Sequence, residues 1–116
     1  MTMVTPIDNA TWIVEAGSAV IDKQAREGSQ SLTPWERLVY CLWLADYSMR
    51  NAGDLDAAGD IRSHFQSEGA WIAKFLELPF THASFSLSPG ALQSDYFVRF
   101  DALCHEVRTA RARAVW

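Results

Sequence analysis

The chain has 116 residues, 49% of them hydrophobic and 12% aromatic, with ten basic and fourteen acidic side chains and a net charge of -4. That length suits one domain, residues 1 to 116, around a single packed core and leaves no room for a second. The acidic balance disfavours direct contact with nucleic acid phosphates.

Near the N-terminus the apolar run Trp12-Ile13-Val14 is cut by Glu15 and no basic stretch precedes it, so neither a signal peptide nor a membrane span is expected. A first helix is predicted over about residues 11 to 25, capped by Asp8, Asn9 or Thr11, with Trp12, Ile13, Ala16, Ala19 and Val20 turned inward. Glu27-Gly28-Ser29-Gln30-Ser31 follows as a polar link. Thr33-Pro34-Trp35-Glu36 then has the form of a capping box with proline at the first helical position. The central helix it opens is predicted over about residues 34 to 50, before Asn51-Ala52-Gly53 stops it. Leu38-Val39-Tyr40-Cys41-Leu42-Trp43-Leu44-Ala45 points apolar groups in every direction, which requires wrapping by other helices. A second copy could also complete that burial, so a homo-oligomer is compatible.

Residues 54 to 78 are helical by composition, with Ile61, Phe65, Ile72, Phe75 and Leu76 on one stripe, and Gly59 and Gly69 predict two pieces meeting near residues 67 to 69. Pro79 ends this segment. Residues 81 to 90 read as an ordered Ser-rich connection that tucks Phe85 and Leu87 over the core. The last helix has the cleanest amphipathic pattern, Leu92, Tyr96, Phe100, Leu103, Cys104, Val107 and Ala110, with Asp95 to Arg99 and Asp101 to His105 as favourable pairs four apart. Four of the ten basic residues lie beyond residue 98, where they complement the dipole of that helix. No alternating strand pattern and no repeat occurs. The fold class is therefore all-α, a single-domain bundle of four or five helices around the central apolar helix.

Chemistry-bearing motifs are sparse. Asp54-x-Asp56-x-Ala58-Gly59-Asp60 resembles the front of a calcium loop, but Ala58 supplies no ligand and Phe65 stands where a bidentate glutamate belongs. His64, His82, His105, Cys41 and Cys104 lack zinc-ligand spacing. No nucleophile with a base beside it and no Gly-rich phosphate loop is present. No catalytic residue, metal or cofactor is assigned, and the chain is read as no enzyme. Cys41 and Cys104 sit within apolar helical patterns, which suits small core residues in a reducing, cytoplasmic setting.

Interaction residues are more prominent. Of five tryptophans, Trp12, Trp43 and Trp71 lie on helical stripes and are assigned to the core, whereas Trp35 in a first turn and the terminal Trp116 are the candidate exposed anchors. Asp46, Asp54, Asp56, Asp60 and Glu68 cluster around the end of the central helix and the segment after it, where they could present a negative ridge to a basic protein. Such a partner would be a DNA-binding regulator or a toxin that the chain neutralises. The alternative is a small helical enzyme or ligand-binding domain with a pocket near His64 or His105.

Leu32-Thr33-Pro34-Trp35-Glu36-Arg37-Leu38-Val39-Tyr40, with Asn51-Ala52-Gly53 closing the helix, resembles a family of small helical bacterial proteins typified by a DNA mimic. In that family a Leu-Thr, acid or amide, Arg, Val-Tyr helix leads into an Asn-Gly-Gly turn, and the likeness covers about residues 30 to 78. Asn51 and Gly53 match the turn, Ala52 replaces its first glycine, Ser48 stands where an acid is expected and Asp54 where an aromatic follows. The resemblance implies an all-helical fold and an acidic surface that competes with DNA for a basic protein.

Overall fold

A computed structural model describes residues 7 to 113, with side chains as far as Ala110. Among the described residues there are six α-helices and no strand: α1 (Asn9–Glu27), α2 (Pro34–Ala52), α3 (Asp56–Ile61), α4 (Phe65–Phe75), α5 (Pro79–Phe85) and α6 (Pro89–Arg113), with a 3-10 turn at Ser29–Ser31. The predicted all-helical bundle is therefore present, with one or two helices more than the four or five expected.

The capping box forms as the sequence implies. Thr33 Oγ1 accepts the Glu36 amide at 3.1 Å, and Glu36 Oε1 accepts the Thr33 amide at 2.8 Å and the Lys23 ammonium at 2.9 Å. The same carboxylate thus starts α2 and ties it to α1. Beyond the box, Leu38, Val39, Cys41, Leu42, Leu44 and Ala45 are fully buried. Helices α1, α3, α4 and α6 all pack on α2, but the sheath is not complete as expected: along one edge the stacked rings of Tyr40 and Trp43 are half-buried and Tyr47 is exposed. It ends at Gly53 in the left-handed conformation, φ 75°.

Helix α1 starts at Asn9 with Asp8 as cap, its carboxylate accepting the Thr11 amide at 2.7 Å. Its buried stripe is Ile13, Gly17 and Val20, whereas Ala19, expected inward, is exposed. Gly17 faces the Trp43 indole so closely that a Cβ there would lie 2.5 Å from Trp43 Cγ. Bare backbone on α1 is what admits the ring.

The segment after α2 divides differently from expectation. The break falls at residues 62 to 64, and Gly69 lies within α4, where a Cβ would meet the Phe85 ring at 2.8 Å. A glycine taken for a helix breaker is instead the contact point between α4 and α5. The shifted break also changes the helix face that is buried: Phe65, Ile72 and Leu76 are in the core, but Ile61 and Phe75 are exposed.

Of residues 81 to 90, expected as connection, the first five lie in α5 (Pro79–Phe85). Pro79 opens this helix rather than only closing the one before, and the Glu106 carboxylate of α6 accepts the Phe80 and Thr81 amides at 3.1 and 2.6 Å. A cap supplied from 25 residues away satisfies the first amides of this seven-residue helix. Phe85 is buried and Leu87 half-buried, so the predicted tuck over the core is present. On α6 every predicted inward residue from Leu92 to Ala110 is buried. Asp95 pairs with Arg99 at 3.4 Å, whereas Asp101 accepts from Asn9 of α1 rather than from His105.

Candidate functional site

The two short helices α3 and α4 meet at the break of residues 62 to 64, and the turn from α5 into α6 lies across from them. Between these pieces is an open cleft of about 940 Å³. Two long-range amides hold its walls together. Gln66 Nε2 donates to the carbonyls of Phe85 and Leu87 at 3.2 and 2.6 Å, and Gln93 Oε1 accepts the Leu55 amide at 3.1 Å. Asp56, Asp60 and His64 line the cleft, together with apolar atoms of Leu55, Phe65, Phe85 and Leu87, and among the described residues no Lys or Arg does.

The five carboxylates expected to form a ridge separate into distinct roles. Asp56 and Asp60, four apart on α3, are exposed and enter no ion pair among the described residues. Asp54 is half-buried; its Oδ1 accepts the Asp56 amide at 3.0 Å and its carbonyl accepts the Ser48 hydroxyl at 2.7 Å. Ser48 also accepts the Ala58 amide at 3.2 Å, so the residue standing where the resembled family has an acid seats α3 on α2.

Asp46 and Glu68 leave the ridge altogether. Asp46 is 2% exposed; it accepts the Arg50 guanidinium at 3.0 Å on both oxygens and the Tyr96 hydroxyl at 2.8 Å. Burial first, then the Asp46 charge that its hydroxyl bonds, pushes the Tyr96 phenol far up and keeps it protonated. Arg50 in turn lies over the Phe100 ring, 4.8 Å from its centroid. Glu68 is half-buried between Arg62, whose Nη2 is 3.0 Å away, and Arg37 at 3.8 Å. Both carboxylates are neutralised by partners inside the protein, so neither offers charge to another molecule.

The aromatic assignments also change. Trp35, expected as an exposed anchor, is 8% exposed and donates its indole N–H to the Val107 carbonyl of α6 at 2.9 Å. Trp116 lies outside the described residues. Among the described residues the exposed tryptophan is Trp71, assigned above to the core, while Trp12 and Trp43 are half-buried; Trp71 is 67% exposed and stacks on Phe75, 62% exposed, with ring centroids 5.9 Å apart and planes 7° from parallel. Ser67, a cleft residue, Trp71 and Phe75 follow one another at four-residue spacing, so cleft wall and ring pair share one flank of α4. Sequence reasoning had the signal for this pair, two aromatics one turn apart, and misjudged which side of α4 was inside.

Of the two histidines tied to the alternative reading, His64 lines the large cleft and His105 lines a separate groove of about 570 Å³ with Glu77, Phe80 and Glu106. Among the described residues no three His, Cys, Asp or Glu side chains are grouped to hold a metal ion. Cys41 and Cys104 are fully buried, and burial pushes both thiols up to about 12. No helix of the described residues is long and apolar enough to cross a membrane. Comparison with known proteins finds no family model, no curated protein and no solved structure that matches the chain.

Proposed function

We propose that the chain is a non-catalytic protein-interaction module that docks a basic protein, a DNA-binding regulator or a toxin it neutralises, on the outer face of α3 and α4. The observation that carries this reading is the stacked Trp71–Phe75 pair standing in solvent beside the cleft. Large rigid rings exposed together cost hydration free energy and are the side chains that dominate binding hot spots. Asp56 and Asp60 on the adjoining helix, which enter no ion pair among the described residues, favour a partner of positive charge, and the net charge of -4 steers such a partner in. This face replaces the wider ridge of the sequence reading, because Asp46 and Glu68 are spent in internal ion pairs. Competition with DNA, which the family resemblance implies, would then arise from covering a basic surface at one point rather than from copying a phosphate ladder. A cytoplasmic setting goes with this reading and is supported by two buried cysteines without a disulfide between them.

The test is affinity capture from the native host with the wild type and with Trp71→Ser/Phe75→Ser as bait. The expected result is a basic protein retained by the wild type, released at about 0.5 M salt and absent from the double variant. A duplex-DNA competition on that protein then separates a DNA-binding regulator from a toxin. Equal retention on both baits overturns the assignment of this face.

A further inference from the structure

We propose that the cleft between α3, α4 and the turn into α6 receives an arginine side chain of the partner; this rests on the reading of the chain as a module for a basic protein and names the group that enters. Asp56 and Asp60 both line the cleft one helical turn apart; among the described residues no Lys or Arg stands in its wall, and the imidazole of His64 is the basic group there. A guanidinium presents several donors in one plane and bridges two carboxylates, whereas an ammonium is a point charge. Half-buried Leu87, with the edges of buried Leu55 and Phe85, lines the same cleft with apolar atoms suited to the three methylenes of an arginine stem. The walls are preformed by the amides of Gln66 and Gln93, so the partner need not order them on entry.

Gly59 and Gly90 line the cleft, and Gly28 and Gly53 do not, which gives the test its reporters. The probe is the peptide acetyl-Ala-Arg-Ala-Arg-Ala-amide, titrated into isotope-labelled protein and followed by amide shifts. The same peptide is prepared with lysine and with citrulline, the neutral isostere of arginine. The expected result is a saturable shift of Gly59 and Gly90 with arginine, a weaker one with lysine and none with citrulline, while Gly28 and Gly53 stay in place. Asp56→Asn/Asp60→Asn weakens binding between about twofold and thirtyfold, the range two exposed ion pairs supply, and an unmoved Gly28 amide shows that the variant is folded. Trp71→Ser leaves the peptide shifts unchanged. Equal response to arginine and citrulline, or no response to arginine, overturns the inference. If the peptide fails while capture of the partner still depends on Trp71 and Phe75, the cleft is wrong and the interaction reading stands. If the peptide shifts the cleft glycines as expected while capture ignores the two rings, the cleft inference is supported and the ring-pair face is lost.

Discussion

Replacing Gly17 by alanine sets helix propensity against packing, and the two disagree in sign. Alanine in the interior of a 19-residue helix gains about 1 kcal/mol over glycine from propensity alone. At Gly17 the added Cβ would lie within 2.5 Å of Trp43 Cγ and 2.9 Å of Trp43 Cβ. The second distance decides the magnitude, because Trp43 Cβ is fixed to the α2 backbone and no ring rotation removes it. Helices α1 and α2 must separate, at the upper end of the about 1–3 kcal/mol that overpacking costs. The net expectation is a loss of about 2 kcal/mol, or about 8 °C in Tm for a domain of this size. Gly59, on α3, has nothing within 4 Å of its Cβ position, so Gly59→Ala should raise stability by about 0.5–1 kcal/mol. Thermal unfolding followed by circular dichroism reads both variants, and Trp43→Ala, which removes Cγ and keeps Cβ, should reduce the Gly17→Ala penalty only in part. A Gly17→Ala protein melting at or above the wild type would refute the close approach of α1 to α2.

Four further outcomes are expected. Leu42→Ala, at a fully enclosed position of α2, should cost about 2–5 kcal/mol in urea unfolding, and wild-type stability would contradict the sheathed helix. Tyr96→Phe removes a hydrogen bond to a buried carboxylate and should cost about 1.5–3 kcal/mol; a neutral result would mean that Asp46 is solvated. Burial pushes the Glu36 carboxyl up, but the Thr33 amide and the Lys23 ammonium together bring it below its ordinary 4.5, so its stabilisation is present above that pH and lost on acidification. The advantage of the wild type over Glu36→Gln should therefore be full at pH 7 and fade as pH falls below about 4.5, and a constant difference across that range would discard the linkage. Cys41 and Cys104, buried with thiols held up to about 12, should react with a thiol reagent only after denaturant is added; fast labelling of the native protein would disprove their enclosure.

The start of α2, most of its burial and the buried face of α6 were legible in the chain because their determinants are local: a capping box four residues long and apolar groups at helical spacing. Everything set by distant neighbours was not. Glu106 of α6 caps the helix of residues 79 to 85, and the break at 62 to 64 decides which side of α4 faces inward, leaving Trp71 and Phe75 in solvent. Composition placed five carboxylates near one another, yet Tyr96 and Arg50 withdraw Asp46, Arg62 and Arg37 withdraw Glu68, and half-buried Asp54 accepts the Asp56 amide, so Asp56 and Asp60 are the two of the five that line the cleft. The physical reason is the same in each case. Backbone preference and hydrophobic period act over a few residues and are written in order along the chain, whereas the burial and pairing of a side chain also depend on groups 72 and even 92 positions away that only packing brings together.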